Sequence, residues 1–83
     1  MNNYGNDWAN LRMIVAGDLT FIRANNPETD IHKVVGKDGA VVAEFDFDIC
    51  SDAFWISAPT GAAIFNLAVD TLDDVVAACI ANF

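Results

Sequence analysis

The chain has 83 residues and a formal net charge of −8 at pH 7, and 54% of its residues are hydrophobic. Its length fits one domain, residues 1–83, and its many large apolar residues exclude a disordered chain. The charge excludes direct binding to nucleic acid through a basic surface, because the phosphates would be repelled. The apolar share exceeds the usual value of about 45–50%. This surplus predicts an interface, either with a partner or in a homodimer.

The apolar runs, the first residues and the cysteines of the sequence indicate where in the cell the protein is expected. No uninterrupted apolar run is long enough to span a membrane, and the start, MNNYGNDW, lacks the basic and apolar regions of a signal peptide. Cys50 and Cys79 have apolar flanks and no CxxC spacing. Both are predicted to be reduced core residues of a cytoplasmic protein, with a disulfide or a reactive thiol as the alternative.

A β-hairpin is predicted over residues 11–24, LRMIVAGDLTFIRA, with a two-residue Gly-Asp turn at 17–18. This register places Arg12 opposite Arg23, and facing like charges are unfavourable. We therefore expect either a longer loop or an acid between them, such as Asp7.

A second hairpin follows a loop at 25–30, NNPETD. Residues 31–35 form a short strand, 36–39 a turn, and 40–49 the longer antiparallel mate. A register slip by one residue would bury three carboxylates, so the register is strongly specified. The alternation predicts that Val41, Ala43, Phe45, Phe47 and Ile49 face the core, whereas Val42, Glu44, Asp46 and Asp48 face away.

Two further strands are indicated. Residues 54–57, FWIS, form a strand, and 58–61, APTG, form a turn. Residues 62–68 fit either a buried strand or the start of a helix, and the strand is favoured. His32, the single histidine, is predicted at a solvated strand position.

The last segment, 70–83, has the pattern of an amphipathic helix, capped by Thr71 or Asp70. Its apolar positions fall on one face: Leu72, Val75, Val76, Cys79, Ile80 and Phe83. The predicted fold is therefore α+β, a twisted antiparallel sheet of five to six short strands with one C-terminal helix packed on one face.

The sequence holds no catalytic signature. A calcium loop that began at Asp46 would need a Gly at its sixth position and a Glu at its twelfth. The sequence has Ser51 and Ser57 there, so it does not match such a loop. Carboxylates on one open strand share a similar environment, whereas acid–base catalysis needs two pKa values that differ. We expect no enzyme, metal or cofactor. The aromatic residues are expected to be in the core, with Trp8 or Trp55 at an interface.

Residues 38–83 hold eight acids and no Lys or Arg, so they carry the whole net charge. One interpretation is that the acidic face of the predicted strand only keeps the protein soluble. Alternatively, carboxylates at every second strand position lie roughly 6.6 Å apart, a repeat comparable with nucleic-acid phosphates, and fit a basic protein surface. The predicted partner-binding residues are Glu44, Asp46, Asp48 and Asp52, with Asp73 and Asp74 as a second patch.

The small size, the acidity and the lack of catalytic motifs are similar to those of small phage-encoded proteins that inhibit host defence, anti-CRISPR proteins among them. This resemblance implies a non-enzymatic inhibitor in the host cytoplasm, which competes with nucleic acid for the basic surface of an effector complex. It assigns no residue a role. The alternative is a self-assembling structural or accessory domain that forms a homodimer through its apolar surplus.

Overall fold

The computed structural model describes residues 4–26, 31–57 and 66–83. Six strands form one antiparallel sheet, and each strand pairs with the next one along the chain. The strands are β1 (Met13–Ala16), β2 (Leu19–Ile22), β3 (His32–Val35), β4 (Val41–Asp48), β5 (Ala53–Ser57) and β6 (Asn66–Val69). The helices are α1 (Tyr4–Asn10) and α2 (Leu72–Asn82). The predicted α+β architecture is confirmed.

The first hairpin has the predicted two-residue turn. Ala16 pairs with Leu19, and Gly17 has a φ of 60°, a conformation that glycine adopts without steric cost. Arg12 and Arg23 do face each other across this hairpin, joined by a backbone hydrogen bond of 3.0 Å. Their guanidinium groups separate: Arg12 donates to the Ala24 carbonyl and Arg23 to the Trp8 carbonyl, each at 3.3 Å.

Both helices cover the same face of the sheet. The fully buried core combines strand residues, among them Phe21 and Phe45, with Val75, Val76 and Cys79 of α2. Burying each large apolar side chain contributes roughly 1.5–3 kcal/mol. The other side of the sheet, here called the open face, has no element of the described chain packed over it.

The predicted alternation in β4 holds only in its centre. Ala43 and Phe45 are buried, but a β-bulge opposite Val34 and Val35 turns Val42 towards the core and leaves Val41 exposed, whereas the alternation predicted the reverse for both. Phe47 packs its ring on Phe54, with centroids 5.0 Å apart, and stays partly exposed. Ile49, predicted in the core, is 84% exposed because β4 ends at Asp48.

Helix α1 was not predicted, because its seven residues, YGNDWAN, carry no apolar period. It is held by Trp8, whose ring lies 5.0 Å from His32 and 5.5 Å from Phe45. His32 is correspondingly buried, and its Nδ1 accepts a hydrogen bond of 2.9 Å from the Ala24 N–H. The prediction of a solvated histidine is wrong, because His32 shares the core face with Val34, two residues on.

Helix α2 begins with a capping box. The Thr71 hydroxyl accepts from the Asp74 N–H, and the Asp74 carboxylate accepts from the Thr71 N–H, each at 3.2 Å. This confirms Thr71 as the cap. The predicted apolar face is buried at Val75, Val76 and Cys79, but Ile80 beside it is 52% exposed.

The two cysteines differ in environment. Cys79 is buried, and this burial raises the pKa of its thiol to about 11. Cys50 is exposed, so its prediction as a core residue is wrong. It follows the end of β4, where the strand alternation no longer fixes the direction of a side chain. Both thiols are free.

Three predicted segments lie wholly or partly outside the described residues. They are the part at 27–30 of the loop predicted over 25–30, the turn at 58–61 and the first part, 62–65, of the ambiguous segment. The rest of that segment is the strand β6, as favoured. Among the described residues, no helix is long and apolar enough to cross a membrane.

Candidate functional site

A row of three carboxylates runs along β4 on the open face. Glu44, Asp46 and Asp48 alternate with the buried side of the strand and are half-exposed. This is the arrangement that the sequence predicts. At the spacing of a strand, successive carboxylates lie roughly 6.6 Å apart.

The neighbouring strands make the row uneven. Glu44 lies opposite Lys33 on β3, so an opposite charge faces its carboxylate. Asp46 lies opposite Trp55 and Asp48 opposite Ala53, both on β5 and both uncharged. The unbalanced negative charge of the row is therefore concentrated at Asp46 and Asp48.

Asp48 organises the turn between β4 and β5. Its carboxylate accepts hydrogen bonds from the Ser51 hydroxyl at 2.8 Å and from the Cys50 N–H at 3.0 Å. The Ser51 hydroxyl in turn accepts from Nε1 of Trp55 at 3.2 Å. The bond from Ser51, followed by that from Cys50, lowers the pKa of Asp48. The charge at this position is thus fixed by the turn that it stabilises.

Asp52 closes the same turn. It is exposed and has a φ of 53°, which Asp and Asn tolerate better than most residues. Asp52 therefore lies beyond the end of β4, in the turn that leads to β5.

The second predicted patch, Asp73 and Asp74, lies in the first turn of α2. Asp74 belongs to the capping box, so its carboxylate has a structural role. Asp73 is exposed in that turn. Asp70 is exposed directly before the cap. Asp70 was not among the predicted binding residues, although it precedes Asp73 and Asp74 by only three and four residues in the sequence.

The sheet register brings the two patches together. Asp48 pairs with Ala53 at the end of β4, and Val69, at the end of β6, pairs with Phe54. The β4–β5 turn and the β6–α2 connection therefore lie at the same end of the sheet, within two strand spacings, or about 10 Å. We call this region the acidic corner, formed by Asp48, Asp52, Asp70, Asp73 and Asp74.

Three of the four cations lie away from the acidic corner, and the fourth, Lys33, faces Glu44. Arg12 and Arg23 adjoin the ends of β1 and β2, which lie three and two strand spacings, or roughly 14 and 10 Å, from β4. Lys37 lies in the β3–β4 turn, at the other end of β4. These distances exceed the Debye length of about 8 Å at physiological ionic strength, so the corner keeps its negative potential.

Two grooves that the described residues form lie away from the acidic corner. These shallow grooves lie beside the β1–β2 and β3–β4 turns, and both are bordered by Leu19 and Phe83. None of the six predicted binding residues borders either groove. Within residues 4–26, 31–57 and 66–83, no three His, Cys, Asp or Glu residues form a group that could hold a metal ion. The candidate site is thus a charged surface outside these two grooves.

Comparisons with protein families, with curated proteins and with solved structures give no match to this chain.

Proposed function

We propose that this protein is a non-enzymatic inhibitor, which uses its acidic corner and the carboxylate row of β4 to occupy a basic, nucleic-acid-binding surface of an effector complex. The observation that carries this proposal is the gathering of five of the carboxylates of residues 38–83 at one corner of the sheet. The same half of the sequence has no Lys or Arg.

The chemistry of the surface selects the class of partner. A net charge of −8 repels nucleic acid and anionic membranes, and it attracts a groove lined by Arg and Lys. Such grooves are built to contact phosphates at regular intervals. Asp46 and Asp48 offer unbalanced negative charges at a comparable repeat, whereas the charge of Glu44 faces Lys33. A protein bound there inhibits by competition with nucleic acid and needs no chemical step.

Two groups of carboxylates contribute differently. Asp48 and Asp74 hold the structure, because each accepts hydrogen bonds that fix a turn or a cap. Asp46, Asp52 and Asp73 supply charge, and their replacement by Asn leaves the Asp48 turn bonds and the capping box in place. The Asp46 carboxylate accepts one hydrogen bond of 2.9 Å, from the N–H of its neighbour Phe47, and the side-chain oxygen of Asn can accept the same bond. This second group therefore tests the function with the least disturbance of the fold.

The resemblance to phage-encoded anti-defence proteins, anti-CRISPR proteins among them, supports the choice of effector. The corresponding partner is an RNA-guided complex in the cytoplasm of a bacterial host. Complementary charges at its basic groove favour rapid association and discriminate against acidic sites.

The test is a competition assay with a panel of RNA-guided DNA-binding complexes. The protein should displace labelled target DNA from at least one complex. The variant Asp46→Asn/Asp52→Asn/Asp73→Asn should lose most of this activity.

The matched control is Asp7→Asn/Asp18→Asn/Asp38→Asn, which changes the net charge equally at positions outside the acidic corner and should retain activity. Displacement by both variants as strong as by the parent would overturn the proposal, and so would the absence of displacement from every complex.

A further inference from the structure

The edge strand β1 is open to pairing. It is the first strand in the order of the sheet, so only β2 lies beside it among the described residues. Its sequence, MIVA, contains none of the charged or proline residues that usually protect an edge from association. Val15 is 67% exposed and Met13 is 42% exposed, and both lie on the open face beside Ile22 of β2.

The hairpin register determines which backbone groups point outwards. A two-residue turn makes Ala16 and Leu19 a hydrogen-bonded pair. Arg12 and Arg23, four residues further along each strand, are also hydrogen-bonded, as this alternation requires. Hydrogen-bonded pairs alternate along an antiparallel ladder. The N–H and C=O groups of Met13 and Val15 therefore point away from β2, at the free edge of the sheet.

We propose that β1 pairs with β1 of a second copy of this chain, antiparallel about a twofold axis at Ile14. In this register Met13 of each copy lies opposite Val15 of the other, and each pair exchanges two backbone hydrogen bonds. The two sheets then join into one, and the exposed apolar side chains of both copies become neighbours on the open face.

The distribution of charge along the chain favours a second copy as the partner of this edge, because the half that contains β1 is neutral. Residues 1–37 contain four basic and four acidic residues, so this half is neutral, whereas residues 38–83 carry −8. In the paired sheet the two β4 strands lie seven strand spacings apart, or roughly 34 Å. Repulsion between them is screened at that distance, because the Debye length is about 8 Å at physiological ionic strength.

The direction of pairing also follows from charge. Arg12 precedes β1 and Asp18 lies in the turn that follows it. Antiparallel pairing brings the Arg12 end of each copy beside the Asp18 end of the other. Parallel pairing would place like charges together. The contact is short, as β1 has four residues, so we expect a dimer that depends on protein concentration.

The experiment measures the oligomeric state by sedimentation over a concentration series, together with amide hydrogen exchange at low and high concentration. The parent should dimerise, and the amides of Met13 and Val15 should become protected as it does so. Val15→Lys should weaken the dimer by about tenfold or more, because a charged edge residue opposes pairing.

The matched control is Ile49→Lys, an exposed apolar position outside β1 with the same change of charge, which should leave the dimer unchanged. Melting curves of both variants verify the fold. A parent that is monomeric at every concentration would overturn the proposal, as would equal weakening by the two variants. A dimer in which the Met13 and Val15 amides stay unprotected would also overturn it. The proposal uses no acidic-corner residue, so it stands or fails independently of the proposed inhibition.

Discussion

Lys33 lies directly opposite Glu44 in the antiparallel ladder of β3 and β4, on the open face of the sheet. The acidic row therefore contains one carboxylate with a facing cation, and a cross-strand pair of this kind contributes roughly 0.2–1 kcal/mol. The pair lies in the ladder that joins the neutral half of the sequence to the acidic half.

The first prediction concerns this pair. Lys33→Gln and Glu44→Gln should each reduce the free energy of unfolding slightly, and the double variant should lose less than the sum of the two. Urea denaturation of the four proteins measures this coupling as a double-mutant cycle. Strictly additive losses would show that the facing charges do not interact.

A second prediction concerns the buried imidazole. His32→Leu removes the acceptor of the Ala24 N–H, and an unsatisfied buried donor costs about 1–3 kcal/mol. The variant should be destabilised accordingly, and the Ala24 amide should exchange faster with solvent. Lys37→Leu, at an exposed position in the β3–β4 turn, serves as the control and should change stability little. Unchanged protection of the Ala24 amide in His32→Leu would contradict this role.

A third prediction tests the packing of α2. Val76→Asp places a carboxylate in a site that is 1% exposed, and burying an unpaired charge should cost several kcal/mol. Ala77→Asp adds the same charge at the next position, which is exposed, and should cost much less. Thermal unfolding distinguishes the two variants. Similar melting temperatures would mean that α2 does not cover the sheet in solution.

A fourth prediction concerns Asp48. Its hydrogen bonds from Ser51 and Cys50 keep its pKa below the ordinary value of 3.8. The ionised form is therefore favoured in the folded state, and its contribution to stability is present above the pKa of the unfolded chain. This contribution is lost as the pH falls through the lower pKa of the folded state.

Ser51→Ala removes the larger of these two causes. An NMR titration of the Asp48 carboxyl group should show its pKa moving up towards 3.8 in this variant. An identical titration in the parent and in Ser51→Ala would show that the Ser51 hydroxyl does not bond the carboxylate.

Most of the sheet could be predicted from local signals. The Gly17-Asp18 turn, the alternation in the centre of β4 and the apolar period of α2 each determine an element through short-range sequence. The missed features depend on tertiary contacts. Helix α1 has no apolar period of its own and is held by Trp8 against His32 and Phe45.

The candidate site was predictable only in part. The sequence identifies the row at Glu44, Asp46 and Asp48, because a strand places alternate residues on one face. It does not show that Lys33 faces Glu44, since that depends on the register between β3 and β4. Nor does it show that Asp52 and Asp73 share a corner, which follows from the common end of β4 and β6.

The most direct measurement of the central claim is the association rate with a displaced effector complex, determined from low to high salt. For the parent the rate should fall steeply with salt, because rim charges govern association. Asp46→Asn/Asp52→Asn/Asp73→Asn should associate more slowly at low salt and approach the parent at about 1 M, where the Debye length is about 3 Å. Asp7→Asn/Asp18→Asn/Asp38→Asn should follow the parent throughout. Identical salt dependence of the two triple variants would contradict the claim that the acidic corner binds the partner.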